Sequence, residues 1–339
     1  MRAPEFWWRP PGIVARLLRP PAALYGAIAA RRMGQQGTRS ALPVLCVGNF
    51  VVGGSGKTPF AIAIAERLVE LGERPAFLTR GYGGALPGPI VVEPATHAPS
   101  EVGDEALLLA SRAITVVARS RPDGAKLIER SAASVIVMDD GLQNPSLCKD
   151  LAFAVVDTQT GLGNGLCIPA GPLRAPLSDQ WRFAQALVLV GPSTGIAKLL
   201  GQEARRRDLS VIAANLVPDG SVAAQFAGRR VVAFAGIGRP DKFFATLRSI
   251  EAIVVGEHGF PDHHRFSARE LAALGAQAIE AQAMLVTTEK DLARIGSPPA
   301  DMLAGGLRAL PVRARIENGH ELDGLLERAL ASHRRQLQS

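Results

Sequence analysis

The chain has 339 residues, 47% of them hydrophobic and 20% charged, with 35 glycines, 24 prolines and a formal net charge of +7. Those fractions exclude a disordered, collagen-like or multispan membrane protein, and at roughly 100–200 residues per domain the length predicts two domains with an ample core. Residues 1–40 hold seven arginines (Arg2, Arg9, Arg16, Arg19, Arg31, Arg32 and Arg39) against one acid, Glu5, so six of the seven net charges lie there and the rest of the chain is almost neutral. A nucleic-acid-binding domain spreads its cations over the folded body, so no nucleic-acid partner is expected.

The basic segment comes first in the chain. Ile13, Val14, Leu17 and Leu18 recur at helical spacing beside Arg16 and Arg19, and Leu24, Tyr25 and Ile28 recur before Arg31 and Arg32. Pro20 and Pro21 divide the segment into two short helices. Its longest arginine-free stretch, Pro20 to Ala30, is far short of the roughly 20 residues a spanning helix needs. Two readings remain: a surface helix docked on the protein's own core, or amphipathic helices over residues 1–36 lying at a lipid surface. Phe6, Trp7 and Trp8 favour the lipid, with aromatics at the interface and arginines toward anionic headgroups.

Pro43–Val47 reads as a buried strand, followed by the loop Gly48-Asn-Phe-Val-Val-Gly-Gly-Ser-Gly-Lys-Thr-Pro59 and a helix over Phe60–Leu71. Strand, glycine-rich loop and helix form the context of a phosphate-binding P-loop. Gly53, Gly54, Ser55 and Gly56 supply backbone N–H groups to phosphate oxygens, Lys57 reaches the outer phosphates of a bound ATP, and the Thr58 hydroxyl ligates Mg²⁺. Val51 stands where the general pattern has glycine. A turn between strand and helix would explain the glycines but not the Lys-Thr that follows them.

A second apolar strand, Ser134–Met138, ends in Asp139 and Asp140, where a P-loop fold holds its metal-binding carboxylate. Adjacent side chains on a regular strand point to opposite sides, so only one of the two can be the direct ligand. Strands over Leu151–Asp157 and Ala186–Val190 complete a parallel sheet, giving an α/β fold with a P-loop NTPase-type parallel core over residues 37–209. The arginine-rich stretch 202–208 reads as a boundary, and residues 210–325 as a second, smaller α/β domain. Cys46, Cys148 and Cys167 are widely spaced and form no metal-ligand cluster, which fits a reducing cytoplasm.

Taken in order, the P-loop run, Thr79-Arg-Gly-Tyr-Gly-Gly84, Val102-Gly-Asp-Glu105, Val137-Met-Asp-Asp-Gly-Leu-Gln143, Pro169-Ala-Gly-Pro-Leu-Arg174, Phe260-Pro-Asp-His263 and Val286-Thr-Thr-Glu-Lys-Asp291 closely resemble the tetraacyldisaccharide 4'-kinases of lipid A biosynthesis. A P-loop alone is shared by many unrelated proteins; the ordered set covers nearly the whole chain and is specific. The resemblance implies an ATP- and Mg²⁺-dependent kinase on the cytoplasmic face of the bacterial inner membrane, held there peripherally by its N-terminus with no obligate protein partner. Its acceptor would be the 4'-hydroxyl of an acylated disaccharide 1-phosphate, and its product lipid IVA.

By the same resemblance, Lys57 and Thr58 are the P-loop lysine and metal ligand, Asp139 and Asp140 the metal-binding pair, and Asp104 and His263 the catalytic dyad. Chemistry leaves either member able to take the hydroxyl proton, a neutral His paired with Asp as the stronger base or Asp as a late acceptor; the expectation is that Asp104 contacts the hydroxyl and His263 tunes it. From the residues alone, Asp104 is equally a helix N-cap and His263 a turn residue beside His264. Arg80 and Arg174 are candidate clamps for an anionic group of the substrate. Splitting the dyad between the two domains predicts a cleft that closes for transfer, and Glu289-Lys-Asp291 is a further candidate for holding nucleotide. Ala106, Asn144 and Ala175 depart from the family pattern, where Pro, His and Glu are expected. The competing reading is a membrane-associated NTPase switch; it predicts an Asn-Lys-x-Asp motif that the chain lacks, and it has no use for the dyad.

Overall fold

Apolar runs separated by glycine and polar turns produce thirteen strands among the residues that the computed structural model describes, 3–296 and 306–338. Arg2, counted above, and residues 297–305 of the expected smaller domain lie outside them. The large sheet takes β1 (Val44–Gly48), β2 (Pro75–Thr79), β3 (Ile90–Val91), β4 (Thr115–Val117), β5 (Val135–Asp139), β6 (Leu151–Asp157), β7 (Ala186–Val190) and β8 (Ser210–Pro218). The small sheet takes β9 (Arg230–Ala235), β10 (Ile253–Gly259), β11 (Met284–Thr288) and β12 (Arg308–Leu310), after which β13 (Val312–Ile316) returns to the large one.

The large sheet runs β13-β8-β7-β6-β1-β5-β2-β4-β3, parallel throughout except at its two edges, where β13 and β3 pair antiparallel. Every residue of β1, β2, β5, β6 and β7 is buried, as expected of parallel strands covered on both faces. One cover is the helix Lys57–Glu70, whose Phe60 packs edge-to-face on Phe153 with ring centroids 5.4 Å apart. From β1 the chain passes over β5 to reach β2, and from β5 it passes back over β1 to β6, so the connections diverge beside the carboxyl end of β1. In open α/β sheets that divergence opens a ligand crevice. The small sheet, β10-β9-β11-β12, is parallel throughout.

The boundary read at residue 210 differs from the sheet membership. β8 pairs in parallel with β7, from Ala186 opposite Ser210 to Val190 opposite Ala214, and buries Ile212 and Ala214 in the large core. The helix Gly319–Gln338 places Leu322, Leu326 and Leu330 in that same core. Residues 210–218 and 312–338 therefore belong with the large sheet. The arginine-rich stretch is the end of the helix Gly195–Arg205 and a tight turn at Asp208, whose φ is 58°.

At the N-terminus a 3-10 turn, Glu5–Trp8, precedes helices Ile13–Leu17 and Arg19–Met33. Pro20 and Pro21 sit in the first turn of the second helix, where a missing N–H costs nothing. Small residues face the body: Ala15, Ala22 and Gly26 are buried, and a Cβ on Gly26 would stand 3.2 Å from Cys167 Sγ. Trp7, expected at the lipid interface, is buried instead; its Nε1 donates to Pro169 O at 3.0 Å and its carbonyl accepts from Asn164 N at 2.7 Å.

Candidate active site

The phosphate loop leaves β1 at Gly48 and enters its helix at Lys57. Gly56 caps that helix at φ 86°, a left-handed conformation that glycine adopts without strain. Buried Asn49 braces the loop from inside, its Nδ2 donating to Ser55 Oγ at 3.2 Å and to Gly53 O at 3.3 Å. Ser55 and Thr58 are buried against the loop, and Gly53 and Gly54 have open space above them.

Lys57 Nζ lies 3.6 Å from Asp140 Oδ1. The other oxygen of Asp140 accepts from Arg174 Nη1 at 3.0 Å, and Arg174 Nε donates to Val51 O at 3.2 Å. Arg174, read as a substrate clamp, is thus engaged with the phosphate loop and its neighbouring carboxylate. Asp140 escapes the strand alternation by turning to φ 53°, which separates it from Asp139. Asp139 is fully buried at the end of β5, and neither of its carboxylate oxygens has a hydrogen-bond partner among the described residues. Burial, with the charges of Glu105 and Asp140, pushes its carboxyl up to about 7.

Those orphaned oxygens fit a cation. Among the described residues no three His, Cys, Asp or Glu side chains form a metal cage, and Mg²⁺ does not need one: it binds one or two carboxylates together with substrate phosphates and water. Asp139, Asp140 and the Thr58 hydroxyl are the donors that would hold it.

Asp104 opens the helix Asp104–Ala110 directly after Gly103, where φ is 89° and a Cβ would collide with Tyr82 O at 2.5 Å. Its carboxylate is 5% exposed and faces the small sheet. There His263, in the turn after β10, presents Nδ1 at 3.4 Å from Asp104 Oδ2. Arg294, on the helix Glu289–Ile295, donates to the same oxygen and pairs with Asp291 at 2.6 Å. Burial would raise the Asp104 carboxyl, but the His263 hydrogen bond and the charges of Lys290 and Arg294 hold it well below the usual carboxylate range. The Asp104 hydrogen bond raises His263 above the ordinary imidazole value, against the effect of burial.

His264, the alternative histidine, stacks on Phe260 with centroids 4.8 Å apart and pairs with Glu270 at 3.0 Å, so its ring is committed to the small-sheet core. Tyr82, Ser100, Asp104, His263, Arg265 and Arg294 line a cavity of about 330 Å³ between the sheets. Arg80, at the end of β2, is exposed and has no hydrogen bond or ion pair among the described residues. The Glu289-Lys-Asp291 run is spent on contacts: Glu289 pairs with Arg112 at 2.9 Å, Lys290 with Glu105, and Asp291 with Arg294.

Sequence reasoning missed Asn49, Glu105, Arg121 and Arg294. Arg121 is buried behind Asp139, its Nη1 donating to Ala118 O at 2.7 Å and its Nε unpartnered among the described residues; burial lowers its pKa. Nothing in its Ser-Arg-Pro-Asp context marks it. Glu105 and Arg294 lie within the resemblance blocks or a few residues past them, and only the fold shows that they meet.

A family model described as tetraacyldisaccharide-1-P 4'-kinase matches residues 14–331. A tetraacyldisaccharide 4'-kinase of Methylobacterium sp. (strain 4-46) is 55% identical over 93% of this chain and 93% of its own length. One from Methylobacterium radiotolerans is 54% identical over 98% and 100%. Among solved structures, LpxK from Aquifex aeolicus in complex with ATP superposes with a TM-score of 0.72 at 25% identity, covering 94% of this chain and 100% of that one.

Proposed function

Since the chain belongs to the tetraacyldisaccharide 4'-kinase family and is an ATP-dependent kinase of lipid A biosynthesis, we propose how its own residues divide the work. The observation that carries this reading is the Asp104–His263 pair, which spans the two sheets beside a phosphate loop and a buried carboxylate with no partner.

The loop Gly53–Thr58 cradles the phosphates of ATP, with Lys57 turning from Asp140 toward them. Mg²⁺ bound through Thr58, Asp139 and Asp140 would neutralise charge on the outer phosphates. The acceptor sugar enters the cavity between the sheets and presents its 4'-hydroxyl to the dyad. As the hydroxyl oxygen bonds to the γ-phosphorus, the bond from that phosphorus to the ADP oxygen breaks and the hydroxyl proton passes to the dyad. With Asp104 held anionic by Arg294 and His263 made more basic by Asp104, the proton comes to rest on the imidazole. Closure of the two halves excludes water from the γ-phosphate. Arg80, exposed and without a hydrogen bond or ion pair among the described residues, is the freer of the two candidate arginines to contact an anionic group of the substrate.

The acyl chains of such a substrate stay in a bilayer, so the enzyme has to meet the cytoplasmic face of the inner membrane. No helix among the described residues is long and apolar enough to cross one. The two N-terminal helices bury their small side and leave Ile13, Leu17, Leu24 and Ile28 exposed beside Arg16, Arg19, Arg31 and Arg32. That is the reverse of a helix docked by its apolar stripe, and it supports peripheral contact with anionic lipid.

The assay is direct. Labelled ATP is incubated with the protein, Mg²⁺ and tetraacyldisaccharide 1-phosphate in detergent micelles, and label is expected in the lipid. ATP hydrolysis with no label in the lipid would reject the transfer and favour an NTPase switch.

A further inference from the structure

Residues 49–52, the first half of the phosphate loop, contain none of its glycines, and their carbonyls are fixed from outside the loop. Asn49 O accepts from Gln143 Nε2 at 2.7 Å, and Phe50 O accepts from Gln180 Nε2 at 3.1 Å and from Arg174 N at 3.0 Å. The two glutamines are joined: Gln143 Nε2 donates to Gln180 Oε1 at 2.6 Å, and Gln180 gives its remaining amide hydrogen to Ala175 O at 2.7 Å. The direction of this chain is unique, because the carbonyls of Phe50 and Ala175 can only accept and a flipped Gln180 would meet them with oxygen. Gln180 is fully buried on the helix Leu177–Trp181, whose Trp181 meets Phe50 edge-to-face with ring centroids 4.6 Å apart. An amide buried so deeply is tolerated because both its hydrogens and its oxygen find partners.

We propose that Gln180 is a positioning residue for phosphoryl transfer, holding the phosphate loop in register with the Asp139-Asp140 turn through Gln143 before nucleotide arrives. β1 and β5 pair directly as far as Val47 opposite Asp139. Beyond that point one chain enters the phosphate loop and the other the aspartate turn, and Gln143, three residues after Asp140, links them. Asn49 carries the order into the second half of the loop, since its carbonyl is held by Gln143 while its side chain donates to Ser55 and Gly53. Transfer needs phosphates and metal-binding carboxylates at one spacing, and an error of about 1 Å can cost about 10²-fold in rate. Arg174 also spans loop and turn, but it shares Asp140 with Lys57, and both cations are open to competition from phosphates. The glutamine pair is uncharged, so nucleotide does not draw it away and the brace is the same with the loop empty or filled.

The proposal rests on the reading that residues 53–58 hold ATP and that Asp139 and Asp140 hold Mg²⁺, and the test keeps the two apart. Gln180→Met retains the length of the side chain and removes its hydrogen bonds. Hydrogen exchange of the loop is followed by mass spectrometry in the nucleotide-free protein, and transfer to the lipid acceptor is measured at saturating Mg²⁺-ATP, well below Tm. In Gln180→Met, exchange across residues 49–56 is expected to quicken roughly tenfold, and kcat to fall roughly tenfold or more while KM for the acceptor stays unchanged. Gln143→Met should show the same split, and the double variant should lose no more in kcat than the larger single loss, because the pair acts as one unit. A wild-type kcat in Gln180→Met overturns the proposal whatever happens to Tm, and so do single losses that multiply in the double variant. If Gln180→Met does not fold, Gln143→Met decides, since it breaks the pair at its half-buried end; wild-type kcat and loop exchange there overturn the proposal. Transfer that survives Lys57→Ala would instead remove the reading of the loop beneath it.

Discussion

His263 Nδ1 stands 3.4 Å from Asp104 Oδ2, although one residue follows a strand of the small sheet and the other opens a helix of the large-sheet half. The dyad therefore forms only when the halves are correctly apposed. Asp104→Ala and His263→Ala are each expected to cut turnover by roughly 10²-fold or more while ADP binding persists. Near-normal turnover in both would exclude them from proton transfer.

The same pair predicts a pH dependence. Asp104 raises His263 above its ordinary 6.5, and a proton acceptor has to be neutral, so kcat/KM should fall as pH drops through that raised value. Asp104→Asn keeps the shape but removes the charge, and the acid limb of the remaining activity should move to lower pH. Stability follows the opposite sense. The protonated pair stabilises the apposed halves below the unfolded-state value of His263, and that contribution is lost as pH rises through the folded value. An acid limb that stays in place in Asp104→Asn would remove the coupling.

Asp139 sets function against stability. Its carboxyl, pushed up to about 7 from an ordinary 3.8, makes the fold pay increasingly as pH rises between those values. Asp139→Asn should leave Tm unchanged or raise it, most clearly above pH 7, while the Mg²⁺-dependent part of ATP affinity is lost. A lower Tm with Mg²⁺ dependence intact would show that Asp139 is structural.

Arg294 compensates two buried carboxylates at once, Asp104 and Asp291. Arg294→Met leaves both without their cation, and removal of one partner of a buried pair costs about 3–5 kcal/mol. Denaturant unfolding should register that loss, and Arg294→Lys should recover only part of it because ammonium cannot bridge both groups in a fork. Unfolding curves that match wild type would show that hydrogen bonds from Thr288 and Gly236 suffice for Asp291.

What the chain reveals in one dimension is what it builds locally. The strand-loop-helix around Lys57 and the aspartates closing β5 are each set by consecutive residues, and they stand where their patterns place them. Long-range choices were hidden. β8 has an apolar pattern that either sheet could accept, and its place is settled by pairing with β7 and β13. Arg294 looks like an ordinary surface residue of a short helix until the fold sets it against Asp104 and Asp291. Trp7 misled for the same reason, because the backbone carbonyl that accepts from its indole, Pro169, is remote in sequence.

Trp7 and its helical neighbours separate anchoring from lipid contact. Trp7 is buried and hydrogen-bonded to the body, so Trp7→Ala should lower the unfolding free energy as an aromatic core truncation does, by about 3–5 kcal/mol at most, and Tm with it. Ile13, Leu17 and Ile28 are 77%, 74% and 61% exposed, so replacing all three with Glu should leave Tm unchanged. The two variants should diverge again on vesicles containing anionic lipid. The triple variant is expected to stay in the supernatant on sedimentation, and raised salt should weaken the wild-type interaction by screening Arg16, Arg19, Arg31 and Arg32. If the triple variant pellets with vesicles as wild type does, the exposed apolar face of these helices is not the lipid-contacting surface.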